Sequence, residues 1–93
     1  MKKQSAKNIA VQTLKVWQTI KMKYPETIIL VRAGKDYITF KDDAVIVNQK
    51  APIEIITNKE KEQQCRFPFY KFDSILSILV RAGHRVAACD QLE

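Results

Sequence analysis

The chain has 93 residues, 16 of them basic and 10 acidic, for a net charge of +6, and 46% are hydrophobic. That length gives one domain with a modest core, and that composition argues against a disordered chain. No apolar run approaches the roughly 20 residues that span a bilayer. The charge is uneven. Lys2, Lys3, Lys7, Lys15, Lys21 and Lys23 all precede the first acid, Glu26, and the remainder cancels. The excess is either a phosphate-contacting basic segment, with residues 1–7 a flexible arm, or a solvated helix face.

Residues 8–23 have the period of a helix, with Ile9, Thr13, Val16, Trp17 and Ile20 on one arc. Ser5 or Asn8 would cap it, and Pro25 would end it by disfavouring helical geometry at Tyr24. "TIILVRA", residues 27–33, reads as a buried strand. "DYITF", residues 36–40, reads as its hairpin partner, with the tip at Gly34 to Asp36. A short helix over 41–49 places Asp42 or Asp43 at its positive N-terminus, as a cap rather than a metal ligand.

A strand is expected over 51–58, a charged turn over 59–64, and a strand over 65–70 in which Pro68 marks an edge or an end. Cys65 on an edge strand would be a free thiol. Asp73 would cap a helix over 74–82, closed by Gly83, and 84–89 would be the last strand. In that helix Leu76, Leu79 and Val80 suffice for a buried stripe. Ile75 and Ile78 are surplus, serving either further burial or a surface for a protein partner or self-association. The order α-β-β-α-β-β-α-β describes an α+β domain built on a single mixed β-sheet with flanking helices.

Catalytic signals are thin. His84 is the only histidine, which excludes a multi-histidine metal site. There is no phosphate-cradling GxxxxGK[ST], and two cysteines outside any CxxC fit a reduced, cytoplasmic protein. The sequence implies no enzyme, no cofactor and no small-molecule substrate.

Two blocks carry a family resemblance. "KYPETIILVRAGKDYITFKDDA", residues 23–44, resembles the start of the MutS family of DNA mismatch repair proteins, whose pattern there is Tyr/His-Pro, an apolar strand, Arg-x-Gly-Asp-Phe-Tyr-Glu-x-Phe, then an acidic pair and Ala. Tyr24, Pro25, Arg32, Gly34, Tyr37, Phe40, Asp42, Asp43 and Ala44 match it. "FPFYKFDSILSILVRAGHRVAACDQLE", residues 67–93, is similar to that family's second block, with Pro68, Asp73, Leu76, Leu79, Val80, Gly83, Val86, Ala87, Cys89 and Gln91 in register. The resemblance implies the fold of the N-terminal mismatch-recognition domain, a double-stranded DNA partner, a buried Cys89, and none of the family's ATPase. The initiator Met1 favours a short natural protein over a cut segment.

In that family the Phe wedges beside a mispaired base and the Glu two residues on hydrogen-bonds it. Asp36 and Ile38 hold those positions here. Asp36 cannot stack, and Ile38 cannot accept a hydrogen bond. Lys35 stands where the family has Asp, and Arg66 where it has a small residue. The expectation is a module that contacts DNA backbone through Lys35, Arg66, Lys71, Lys2, Lys3 and Lys7 without mismatch preference. The alternative is a protein-interaction module or repair modulator that kept the fold and lost DNA recognition, using the Ile75/Ile78 surface or an exposed sheet edge.

Overall fold

The computed structural model describes residues 6–57 and 62–90, and side chains from residue 12 onward. In chain order the elements are α1 (Ala6–Lys23), β1 (Thr27–Ala33), β2 (Asp36–Phe40), α2 (Lys41–Lys50), β3 (Ile55–Thr57) and β4 (Gln63–Pro68). A 3-10 turn (Phe69–Lys71), α3 (Phe72–Arg81) and β5 (Arg85–Asp90) complete them. The strands form one mixed sheet in the order β3-β4-β2-β1-β5, with β1 and β5 parallel and the other pairs antiparallel. The chain is therefore an α+β fold with three helices on a single five-stranded sheet, in the element order that its apolar patterning predicts.

The two faces of the sheet are both covered, which explains why β1 is a continuous apolar run rather than an alternating one. On one face Ile29, Val31, Ile38 and Phe40 pack under Trp17 of α1. On the other, Ile28, Leu30, Cys65 and Phe67 pack against Ala44 and Val47 of α2 and Ile75 and Leu79 of α3. The period-two alternation of β2 sends Ile38 and Phe40 to the α1 side and Tyr37 to the α3 side. Each fully buried Leu, Ile, Val or Phe contributes about 1.5–3 kcal/mol.

The β1–β2 hairpin closes through a two-residue turn, since Ala33 pairs with Asp36. Gly34 sits at φ 68, and Lys35 is not among the positive-φ residues. A glycine at the first central position of a two-residue turn is the type II′ signature, whose twist matches that of the flanking strands.

At the other end of β2 the chain leaves the sheet through Lys41, the one non-glycine positive-φ residue among those described, at φ 53. The break strands the β2-facing side of early β1, because β2 pairs only with Val31 to Ala33. The carboxylate of Asp43 fills the gap. Its Oδ2 accepts the Ile29 N–H at 3.0 Å and the Trp17 indole Nε1–H at 3.1 Å, and its Oδ1 accepts the Lys21 ammonium at 2.7 Å. Lys21 also donates to the Thr27 carbonyl at 2.6 Å. One buried acid thus joins α1, β1 and α2.

Several sequence expectations change. Asp43 is no helix cap: the N-cap of α2 is Phe40, with no side-chain cap bond, and Asp43 turns inward. Asp73 lies in the first turn of α3, one position inside the helix, whose N-cap is Lys71. Gly83 does close that helix. It lies at φ 93, with Gly83 N–H on the Val80 carbonyl and His84 N–H on the Leu79 carbonyl, the paired bonds of a Schellman motif. The strand expected over 51–58 shrinks to three residues, because Ala51 caps α2 and Asn48 Nδ2–H binds the Ile53 carbonyl, tying 51–53 to that helix. Gln63 and Gln64 belong to β4, and residues 58–61 of the expected charged turn lie outside the described residues.

Phe69 and Tyr70 leave β4 for the 3-10 turn, with Pro68 as the strand's last residue. Strand β4 lies between β3 and β2, so Cys65 is interior rather than on an edge. It is fully buried, and its thiol donates to the Ala44 carbonyl at 3.1 Å. Ile75, at 3% exposure, is core, and Ile78 packs beside it. Val80, assigned to the stripe, is instead exposed. The surface expected from Ile75 and Ile78 for a protein partner or self-association therefore lacks Ile75, while Ile78 is partly buried. The basic arm is shorter too, since Ala6 and Lys7 are already helical. Lys2, Lys3 and Ser5 lie outside the described residues, as does the side chain of Lys7. Asn8 falls inside α1 rather than at its cap.

Candidate nucleic-acid interface

The hairpin tip and the start of the 3-10 turn form one surface. The Phe69 N–H donates to the Lys35 carbonyl at 2.8 Å, adding a rung beyond the Asp36–Pro68 pair that ends the β2–β4 ladder. That bond places Lys35, Asp36, Phe69, Tyr70 and Lys71 around one corner of the sheet. Lys35, Tyr70 and Lys71 are exposed, and Asp36 is half-buried.

Arg32 braces this corner from β1. Its Nε–H donates to the Gly34 carbonyl at 3.1 Å, holding the turn. Its guanidinium carbon lies 4.7 Å from the Phe69 ring centroid and 6.0 Å from that of Tyr37. Tyr37 in turn stacks on Phe67 and packs against Phe72, at centroid separations of 5.8 and 4.8 Å. The surface cation thus rests on an aromatic column that runs into the core, a cation–π arrangement.

On the opposite face, Asp36, Ile38 and Arg66 act together. Register sets Ile38 opposite Arg66, and Asp36 two residues along on the same side. Arg66 reaches diagonally, and its Nε lies 3.2 Å from Asp36 Oδ2. Both side chains are partly exposed, at 47% and 33%, so the pair is worth only about 0.2–1 kcal/mol. Its consequence is positional: it holds Asp36 against the sheet and lays the arginine over the reading positions. Ile38 is 4% exposed, within the Trp17–Phe40 cluster. It cannot touch DNA in this arrangement, so its place among candidate contact residues is withdrawn.

The lysines of α1 do not form one free stripe. Lys21 is committed to Asp43 and Thr27, whereas Lys15 and Lys23 are exposed. Sequence reasoning placed Lys35, Asp36, Arg66 and Lys71, and the structure brings them to one corner. It missed Arg32, Phe69 and Tyr70 as surface groups. For Phe69 and Tyr70 the missed signal was Pro68, which ends the strand and sends the residues after it into the 3-10 turn. No helix among the described residues is long and apolar enough to cross a membrane.

Residues 12–93 match the family model for MutS domain I. The chain belongs to the MutS family. It is 41% identical over 81 residues to the DNA mismatch repair protein MutS of Christiangramia forsetii, covering 83% of this chain and 9% of that protein. It is 37% identical over 84 residues to the MutS of Phocaeicola vulgatus, covering 86% and 10%. Against the MutS of Parabacteroides distasonis it is 38% identical over 94 aligned residues, covering 95% and 11%. The chain thus spans about a tenth of the length of these MutS proteins, the stretch that forms domain I. Within it, Arg32, Gly34, Tyr37 and Phe40 are the hairpin residues that carry the resemblance drawn from the sequence, and Asp36, Ile38 and Arg66 are where the sequence departs from it.

Proposed function

We propose that this MutS domain I is a non-catalytic, cytoplasmic DNA-binding module that holds double-stranded DNA by its phosphates and does not discriminate a mismatch. The observation that carries this reading is the Asp36–Arg66 pair over a buried Ile38. A wedge must be aromatic or apolar to enter a base stack. Here that position is a carboxylate, already neutralised by its neighbour. The base-reading position is an alkyl group inside the core. Against the acids Asp73 and Asp90, the corner carries the cations Lys35, Arg32 and Lys71, and the guanidinium of Arg66 has donors besides Nε. Family membership supports DNA as the partner.

The test is a titration of labelled homoduplex and of the same duplex with a single mismatch, at two salt concentrations. Equal affinities are expected, with log K falling by about 3–5 per decade of salt if three to five phosphates are contacted, since each contributes about 0.9. Absence of binding at low salt refutes DNA contact. A clear preference for the mismatch refutes the reading of Asp36 and Ile38.

A further inference from the structure

The corner holds more aromatic surface than a phosphate-binding site uses. Phe69 is 44% exposed and Tyr70 is 72% exposed. Single exposed aromatics are ordinary on protein surfaces. These two are adjacent, edge to face at a centroid separation of 5.9 Å and an interplanar angle of 77°. They sit on a 3-10 turn pinned at its first residue by the Phe69 N–H to Lys35 carbonyl bond. Arg32 lies over Phe69, fixed by Gly34, and Lys35 and Lys71 flank the pair. Acids also face this corner. Asp36 is bound to Arg66, Asp73 is exposed in the first turn of α3, and Asp90 pairs in register with Arg32.

We propose that Tyr70 and Phe69, with Arg32, form a stacking platform for an unpaired base of single-stranded DNA, whose phosphates are held by Lys35 and Lys71. Rings set at right angles form a step, on which a planar base lies against one face while its edge meets the other. The guanidinium of Arg32 adds a second planar, cationic surface. A strongly exposed tyrosine has one face to give without unpacking anything, so the contact requires no rearrangement of the core. Lysines on either side place positive charge where the strand's backbone must run. This is the combination that binds single strands without sequence preference. The platform lies beside the reading positions, not on them, so the aromatic group that the tip lacks at Asp36 is supplied by the end of the neighbouring strand. The inference rests on the DNA-binding reading above but concerns different residues.

The test compares a labelled oligothymidylate of about 12 nucleotides with an abasic backbone of the same length by fluorescence anisotropy, because a site of this kind covers roughly 4–16 nucleotides. Wild type is expected to bind the thymidylate about 5- to 100-fold tighter than the abasic strand, and Tyr70→Ala to remove most of that difference while leaving abasic binding unchanged. Tyr70→Phe keeps the ring and is expected to stay within about 2-fold of wild type. Far-ultraviolet circular dichroism checks that each variant is folded. Equal binding of both strands by wild type, an unaffected Tyr70→Ala, or no binding of either strand overturns the platform. Duplex binding measured in parallel separates the two ideas. If it persists with a silent Tyr70→Ala, the platform alone fails. If it is absent while the thymidylate binds, the duplex reading alone fails.

Discussion

Replacing Asp43 by alanine removes one acceptor from three donors at once. The Trp17 indole N–H and the Ile29 N–H belong to buried residues, and Asp43 is the side-chain acceptor seen for each among the described residues. Each such orphaned donor costs about 1–3 kcal/mol. Lys21 keeps the Thr27 carbonyl at 2.6 Å, and its side chain is 20% exposed, so its loss is smaller, about 1 kcal/mol. The sum is about 3–7 kcal/mol. A domain of this length has roughly 5–14 kcal/mol in total, at about 0.05–0.15 per residue. The variant is therefore expected to lose about a fifth of its stability at the least, and in the middle of both ranges about half. Trp17 is the sole tryptophan and is 5% exposed, so its fluorescence reports the transition directly. Urea titration of wild type, Asp43→Ala and Asp43→Asn is the measurement. Asp43→Asn keeps the volume and one acceptor oxygen and is expected to cost about half as much.

The same experiment contains its refutation. A loss below about 1 kcal/mol for Asp43→Ala would mean that water or relaxed backbone satisfies the donors, and that Asp43 does not join the three elements. Pairing the change with Lys21→Met isolates the ion pair: groups in contact couple by about 0.5–3 kcal/mol, and additive costs would show that the 2.7 Å contact contributes nothing.

Two further outcomes follow from buried side chains. Thr39 is fully buried and its hydroxyl has no hydrogen-bond partner, so Thr39→Val is expected to raise stability by about 1 kcal/mol in the same urea titration, and a loss of that size would show that the hydroxyl is satisfied. Burial pushes the Cys65 thiol up to about 11 from an ordinary value of 9.0, so the unfolded chain ionises first and stability falls as pH rises from about 9 to about 11, by up to about 3 kcal/mol. Below that window the thiol contributes no pH dependence. Cys65→Ala is expected to flatten the slope in this window, and an unchanged slope would exclude Cys65 as its source.

The sequence carried the elements of this fold because each has a local cause: helical spacing in α1 and α3, a doubly buried apolar run in β1, and Gly34 and Gly83 at their turns. Strand order has no such cause. Nothing in residues 63–68 says that β4 lies inside the sheet, and so Cys65 was assigned to an edge. Asp43 was taken for a local cap because its neighbours made that plausible. Its real partners lie 14, 22 and 26 residues away. The usable clue was Trp17, since a buried indole N–H needs an acceptor. For the candidate site, individual residues were legible but their relations were not. Arg66 and Asp36 are 30 residues apart in sequence and meet only through the β2–β4 register.

That register also makes the three departures from the family pattern one event rather than three. Arg66 stands opposite Ile38, on the face that Asp36 shares. A glutamate restored at 38 alone would replace a packed alkyl group beside Trp17 and meet the Arg66 guanidinium, which would neutralise the acceptor meant for a base. A phenylalanine restored at 36 alone would take away the partner of Arg66 and leave that long side chain across the groove-facing surface. A small residue at 66 alone would release Asp36, leaving an uncompensated negative charge at the tip that the DNA-binding proposal sets against phosphates. Each single reversal creates a conflict that the present trio does not have. Meanwhile Arg32, Gly34 and Tyr37 make their contacts at the turn or on the other face of the sheet and keep them through all three, whereas Phe40 shares the Trp17 cluster with Ile38. The reading face and the frame that carries it are therefore separable in this fold. The frame is held by turn geometry and core packing, whereas the face is set by the adjoining side chains of Asp36, Ile38 and Arg66.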